Sequence, residues 1–495
     1  MAVAVVSAHL SFWRAAAVLG AAALAGCAVG PDYHLPKQAA FNALAAQGAF
    51  VGSKRNPRVI DTPLPPDWWR LYDSPELDRL VLGALTANTD LRLAEANLER
   101  SRALVELAKT QQQPNVSFNG GVERAQLSAE QYLFAGTLPQ FYLYDVNLTA
   151  SYEVDLFGRI RRGIEAAEAD DAAVEAARDW VRVAVAANVA RAYADACGAG
   201  DELVTARQSL ALQEKSLAFT RRLFVGGRAT HLDTSRSQAL VDQLRSTIPA
   251  FVARQRNALY RLATLNGKPP EEFEPQLARC VTTPNVKRLI PVGNGATLLR
   301  RRPDVRAAER ELAAATAEIG VETAALYPTV VLGASVGSTG VTQDFLTQRT
   351  NDFAYGPGVS WQLNQSPARA RIAAATAAQK AQLARFDGVV LGALQDVESA
   401  LNVYKHDLEA KKSLTDARNS AAAALSDADR LQAAGRTDAL STLDAQRTLA
   451  SANAALAAIR SRIAQDQVNL FFALGGGWED APTPVNISAV TTDHN

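Results

Sequence analysis

The sequence predicts a mainly α-helical protein with transmembrane β-structure, in which a tandem-duplicated chain contributes four β-strands and long coiled-coil helices. Three observations predict it. Residues recur in order at nearly one offset, helical patterns run far longer than a compact domain needs, and four segments alternate polar and apolar side chains at period two.

Composition narrows the field first. The 495 residues carry 51 Lys+Arg against 51 Asp+Glu, so the broad positive footprint of nonspecific nucleic-acid binding is missing. Of the three cysteines, Cys197 and Cys280 stand far apart with no C-x-x-C or Cys/His spacing, so neither a zinc site nor a disulfide framework is expected. His9, His34, His231, His406 and His494 are scattered singly and read as surface or packing residues. No metal, no cofactor and no His-based catalysis is expected.

Residues 1–26 read as a lipoprotein signal peptide. Arg14 precedes the apolar run 15–24, whose length is too short for a helix to cross a ~30 Å hydrocarbon core and suits a signal-peptide h-region. Leu24-Ala25-Gly26-Cys27 resembles the bacterial lipobox, in which cleavage leaves a diacylated Cys27 as the new N-terminus. An ordinary signal peptide followed by a chance cysteine is the plainer alternative. Several acyl chains would anchor the protein stably, at ~0.8 kcal/mol per buried CH₂. Ala28 stands where an Asp would resemble inner-membrane retention, so the implied address is the outer membrane.

Beyond a lipidated N-terminal segment, 27–75, the chain is written twice. Asp90, Ala94, Glu95 and Pro114 return as Asp304, Ala308, Glu309 and Pro328, each displaced by 214. Arg222, Gly227, Arg228, Leu232, Thr234, Gln238 and Gly267 return as Arg430, Gly435, Arg436, Leu440, Thr442, Gln446 and Gly475, displaced by 208. The repeats are placed at 76–270 and 290–478, joined by the proline-bearing segment 268–291 and followed by a tail, 479–495.

Each repeat reads as helix, two strands, long helix, turn, helix. The first helix opens with Ser74 as N-cap, Pro75 at the first helical position and Glu76 in the first turn. After a break near Asn88, Leu91, Ala94, Leu98, Ser101, Val105 and Ala108 keep the 3-4 spacing of a coiled-coil seam. In 163–223 one seam runs Ala166, Ala169, Ala173, Ala176, Trp180, Val183 and Ala187, and a rotated one runs Val174, Ala177, Val181 and Ala184. Leu383, Phe386, Val390, Ala393, Val397, Ala400 and Tyr404 repeat the spacing. Two small-residue seams imply two helical neighbours, and roughly 60 residues make a rod of about 90 Å. Such helices belong in a bundle or a wall; a curved wall is favoured, because Arg178, Asp179 and Arg182 leave a wettable face between the seams.

Strands are expected at about 115–127, 141–155, 329–341 and 354–363. Val116, Phe118, Gly120 and Val122 alternate with Ser117, Asn119, Gly121 and Glu123; Tyr142, Tyr144, Val146, Leu148, Ala150 and Tyr152 alternate with Asp145, Asn147, Thr149, Ser151 and Glu153. Val330, Leu332, Ala334 and Val336, then Val359, Trp361 and Leu363, repeat the pattern. An apolar face with aromatics near the strand ends and a polar opposite face suit a transmembrane barrel. Four strands cannot close one, and an open edge is not tolerated in lipid. Two chains would give about eight strands with a filled interior, whereas three would give about twelve and leave a passage. A small sheet on a soluble helical domain is the alternative.

Longer motifs bring in a family. Cys27-Ala28-Val29-Gly30-Pro31-Asp32-Tyr33, Trp68-Trp69 with Leu77 and Asn88, Tyr152-Glu153-Val154-Asp155-Leu156-Phe157-Gly158-Arg159 and Leu298-Leu299-Arg300-Arg301-Arg302-Pro303-Asp304-Val305 stand in order over nearly the whole chain. Together they resemble an outer-membrane factor of the TolC family, in the NodT or OprM-like lipoprotein subgroup. The resemblance implies a homotrimer whose twelve-strand β-barrel in the outer membrane continues into a periplasmic α-helical barrel. Such a protein is the exit duct of a tripartite efflux system, joined by a periplasmic adaptor to an inner-membrane pump of RND type. A type I protein-secretion duct of the same fold and a non-transport structural lipoprotein are the alternatives.

The same resemblance places the turns 225–230 and 434–438 at the periplasmic tip, where the adaptor docks and the tunnel narrows. Gly227, Arg228, Gly435 and Arg436 are the implied docking residues. Asp233 and Asp444 match gate carboxylates, and a ring of carboxylates from three chains would favour cations; N-capping by Asp233 is the structural alternative. Ser441 stands where some relatives carry a second Asp, implying a less acidic gate. Leu363-Asn364-Gln365-Ser366 replaces the family's Phe-Asp-Gly-Gly after the fourth strand. Gly333-Ala334-Ser335-Val336-Gly337 satisfies G-x-S-x-G, but that motif needs a strand, a sharp turn and a helix, whereas Ser335 falls inside an alternating run. No enzymatic activity is expected.

Overall fold

A computed structural model describes residues 28–54 and 56–480. In chain order it contains β1 (Val59–Ile60), α1 (Pro75–Ala87), α2 (Thr89–Thr110), β2 (Asn115–Ala125), β3 (Phe141–Val154), α3 (Arg159–Val225), α4 (His231–Leu265), β4 (Ile290–Pro291), α5 (Gly295–Arg301), α6 (Pro303–Ala324), β5 (Thr329–Val341), β6 (Asn351–Ser360), α7 (Ser366–Ala433) and α8 (Ala439–Ala473). The succession of two helices, two long strands, a long helix and a shorter helix therefore occurs twice. Two compact units form, one from 28–36, Glu99–Val174 and Ala308–Phe386, the other from 37–98, Glu175–Ala307 and 387–480.

The first unit holds a four-stranded antiparallel sheet of order β2-β3-β5-β6. Its register aligns Phe118, Leu148, Val336 and Phe353 in one cross-strand row. That face is apolar and open, with Phe118 70% and Phe353 76% exposed. The neighbouring row on the other face is Ser117, Thr149, Ser335 and Ala354, where Ser117 Oγ and Thr149 Oγ1 lie 2.6 Å apart. On the same polar face Thr339 donates to Asp145 at 2.8 Å. Pleating thus separates a lipid-suited face from a wettable one.

Two details of the sheet differ from the sequence reading. The last strand spans Asn351–Ser360 rather than 354–363, because its partner sets the ends: β5 begins at Thr329, opposite Ser360, and still pairs at Ser338, opposite Asn351. Tyr144 has the register of the open apolar face but is 1% exposed. The β5–β6 connection folds over it: its hydroxyl meets Ser338 Oγ and Thr350 Oγ1, each at 2.8 Å, and accepts from the Leu346 N–H at 2.9 Å. Phe345 lies edge-on at 4.8 Å between ring centroids.

The second unit carries the main apolar core. Ser74 Oγ accepts the Leu77 N–H at 3.3 Å and caps α1, whose Leu77, Leu80, Val81, Ala84 and Leu85 are buried at helical spacing. Trp68 is fully buried 4.7 Å from the Phe471 ring and donates its indole N–H to the Gly476 carbonyl at 3.1 Å. Arg302, in the motif that opens the second repeat, is a buried hub. It reaches Asp304 at 2.9 and 2.6 Å, Asp396 at 3.2 Å and the Ala473 carbonyl at 3.0 Å, with the Trp180 ring 5.1 Å away. A buried cation is tolerable only with such pairing.

Cys197 and Cys280 form a disulfide, contrary to the expectation from their spacing. The physical reason is a close approach that the cysteines alone do not encode. One turn after Cys197, Gly200 lacks the Cβ that would collide with the Cys280 carbonyl, so the inter-repeat segment can lie against α3. That segment also pairs in parallel with the N-terminal region, β4 against β1. Farther along the core, Asp407 is bound by Arg462 at 2.5 and 2.9 Å. Near this pair, Asp466 is only 6% exposed, with an Oδ2 that has no hydrogen-bond partner.

Candidate functional site

The two turns that join the long and short helices are built alike. After α3, the Arg228 N–H bonds to the Leu223 carbonyl at 2.8 Å and the Gly227 N–H to the Phe224 carbonyl at 3.0 Å. After α7, the Arg436 N–H bonds to Leu431 and the Gly435 N–H to Gln432 at the same two distances. This paired pattern is a Schellman stop. It requires a left-handed residue, and Gly227 and Gly435 have φ of 70° and 69°.

Three residues after each glycine comes the N-cap of the returning helix. Thr230 Oγ1 accepts the Asp233 N–H at 3.2 Å, while the Asp233 carboxylate accepts the Thr230 N–H at 2.8 Å and its hydroxyl at 2.6 Å. Asp233 therefore completes a capping box, and the Thr230 hydroxyl and N–H hold its carboxyl below the usual carboxylate range. In the second repeat the two residue types trade places. Asp438 is the N-cap, and its carboxylate accepts the Ser441 N–H at 2.9 Å and hydroxyl at 2.6 Å. Those bonds lower the Asp438 carboxyl as well. Ser441 thus takes the hydroxyl part that Thr230 plays in the first repeat, and Asp438 supplies the carboxylate three residues nearer the turn.

Asp444 lies beyond the cap, exposed, and takes a 2.6 Å hydrogen bond from Arg447. A crevice of about 380 Å³ between α4 and α8 is lined by Arg236, Leu240, Leu443, Asp444 and Arg447. Asp233 borders an adjoining crevice that shares Arg236 and Leu443. Asp233 and Asp444 are thus brought to one seam with Arg236 between them. Arg236 and Asp438 were missed from sequence; the T-x-x-D at 230–233, shifted by 208 to D-x-x-S, carried the signal.

Cys27 lies outside the described residues. The chain just after it is fixed at the foot of the sheet, where the Val29 N–H donates to the Phe157 carbonyl at 3.1 Å. Arg162 reaches Asp32 at 2.6 Å, and the Tyr33 hydroxyl donates to Glu309 at 2.9 Å. These contacts explain the Val29-to-Tyr33 motif and the Gly158-Arg159 junction in physical terms. In the departing segment, Asn364 Oδ1 accepts the Ser366 N–H at 3.2 Å and opens α7, the part that Asp155 plays for Ile160 and Arg161 at the start of α3. Ser335 lies in β5 opposite Thr149 and Ala354, with strand on both sides.

The model of the outer membrane efflux protein family matches residues 80–268 and 296–476. The chain belongs to the outer membrane efflux protein family. The two matched stretches fall on the two repeats. Among efflux-family relatives, the solvent efflux pump outer membrane protein SrpC of Pseudomonas putida is 31% identical over 92% of this chain and 96% of its own. Nodulation protein T of Rhizobium leguminosarum bv. viciae is 29% identical over 94% of each chain. Among solved structures, the outer-membrane channel OprN is 32% identical with a TM-score of 0.84, covering 91% of this chain and 100% of that one. The MtrE channel of Neisseria gonorrhoeae, solved in its open state, is 26% identical with a TM-score of 0.77 over 93% and 100%. This efflux-family chain is an outer-membrane exit duct of the tripartite type.

Proposed function

We propose that three copies of this chain form a passive duct, closing twelve strands into one barrel in the outer membrane above a periplasmic helical tunnel. One observation carries the reading: the sheet has an open apolar face, a polar opposite face and two unpaired edge strands, β2 and β6. Lipid forbids unpaired edges, so neighbouring copies must supply the missing partners. A lipid on Cys27 anchors the duct in the outer membrane. The turns at Gly227-Arg228 and Gly435-Arg436 receive the periplasmic adaptor, which links an RND-type inner-membrane pump. The duct performs no catalysis and needs no metal or cofactor beyond the lipid.

The seam of Asp233, Asp438 and Asp444 serves as the gate, with Arg236 and Arg447 offsetting its charge. The test is single-channel current across a planar bilayer, with oligomer mass measured on the same detergent-purified sample. Small cation-preferring steps from a trimer support the duct; a silent monomer removes the shared barrel. Conversion of both Asp233 and Asp444 to Ala should raise conductance or weaken cation preference. Unchanged current and selectivity in an assembled trimer would remove their gate role.

A further inference from the structure

In the unit that holds the main core, a cleft of about 490 Å³ opens between α7 and residues 56–58. Its wall carries Arg58, Lys405, Lys411 and Lys412. A second cleft, of about 300 Å³, is bounded by residues 281–285 and α8, meets the first at Lys411 and adds Arg460. Among the described residues, none of these five cationic side chains makes an ion pair or a hydrogen bond. Burial first, then the charges of Arg460 and Arg58, holds the Lys411 ammonium below the usual lysine range. The acids nearby are few or engaged. Glu409 is paired with His406 at 3.0 Å, Asp407 with Arg462, and Asp201 with the Thr283 hydroxyl at 3.2 Å; Asp416 also lines the rim.

The floor is not uniformly polar. Pro57 and Leu408 lie between the cations, and Lys405, Leu408, Lys412 and Thr415 keep the 3-4 spacing that turns one face of α7 into the cleft. Seven helical residues rise roughly 10 Å, so Lys405 and Lys412 are spaced for two anionic groups about that far apart. A single small oxyanion does not reach both. A segment in polyproline II conformation turns once every three residues and rises about 3.1 Å per residue, so carboxylates three residues apart share one face about 9 Å apart and match the spacing.

We propose that the joined cleft along α7 binds an extended acidic segment of a partner protein, with carboxylates about three residues apart on Lys405 and Lys412 and a third anionic contact at the Arg58, Lys411 and Arg460 cluster. Calorimetric titration of the purified full-length protein with the peptide acetyl-Glu-Ala-Ala-Glu-amide tests this directly. Saturable binding is expected, lost with the Gln-Ala-Ala-Gln peptide and weakened at least tenfold by Lys411→Gln with Lys412→Gln. Lys412→Arg should retain it, and all variants should keep the parent's oligomer mass. Equal binding of inorganic phosphate at matched ionic strength would reduce the cleft to a general anion site and overturn the proposal. Tighter binding of solubilised cell-wall fragments would overturn the partner-protein assignment, and no binding of the Glu peptide would remove the site.

Discussion

Replacing Asp466 by Asn should remove a pH dependence from the stability of the helical core. Asp466 is buried, has an unpaired Oδ2 and lies near Asp407, which Arg462 already binds. Burial, then the hydrogen bond shared with Asp407 and its negative charge, pushes the Asp466 carboxyl from 3.8 up to about 7, with Arg462 opposing. The folded chain therefore holds a proton that the unfolded chain releases above its ordinary carboxylate pKa. Stability is highest below that ordinary value, falls as pH rises through the interval between it and about 7, and levels off above. A rise from 3.8 to about 7 corresponds to about 4 kcal/mol at most, and relaxation around the carboxyl brings the expected loss to about 2–4 kcal/mol. Denaturant midpoints of the detergent-purified protein, measured from pH 4 to pH 8, should fall more steeply for the parent than for Asp466→Asn. The two curves should meet near pH 4 and separate by about 2–4 kcal/mol at pH 8. Parallel curves would refute the reasoning, because the carboxyl would then be ionised in the folded state and stabilised by partners.

Three further outcomes follow from the geometry. Cys197→Ser with Cys280→Ser opens a loop of 83 residues and should lower stability by up to about 4–5 kcal/mol on the chain-entropy model; an unchanged denaturant midpoint, with the bond shown present in the parent by thiol labelling, counts against it. Gly227→Ala or Gly435→Ala forces a Cβ into φ near 70°, costing about 1–2 kcal/mol, and should speed amide exchange over the last turn of α3 or α7 while leaving the sheet unaffected. Thr230→Ala removes the cap of α4 and should cost about 1 kcal/mol, whereas Ser441→Ala keeps the Asp438 cap and should cost less; equal losses would contradict the exchanged roles.

Periodicity made much of this fold legible. Capping signals marked α1 and the 3-4 seams marked α2, α3 and α7, and period two marked the first three long strands, since side-chain direction alternates whatever the partner strand is. The final strand was displaced because its ends are set by the partner strand, which starts opposite Ser360 and reaches Asn351, and not by its own alternation. Tyr144 could not be assigned from its own strand, since its cover comes from residues 342–350. The disulfide depended on a backbone approach allowed by Gly200, and the Arg302 hub on carbonyl and carboxylate groups from three helices. At the turns, the repeat offset picked out Gly227 and Gly435 and the family resemblance picked out Asp233, while the part taken by Asp438 required seeing which hydroxyl each carboxylate meets.

The strand order also says what kind of joint a ring of such chains would use. Within the chain, the second strand of the first hairpin, β3, pairs with the first strand of the second hairpin, β5. The strands left over are the second of the second hairpin and the first of the first. Joining β6 of one copy to β2 of the next therefore repeats the internal joint between the opposite halves. A closed ring has one kind of seam used alternately within and between molecules, with twice as many pseudo-equivalent sectors as chains. The tethered seam forms at a rate independent of protein concentration, whereas the untethered one is collisional. Mutations at equivalent positions of the two seams should consequently differ in kind: one alters the folding of a single molecule, the other the concentration at which molecules find each other.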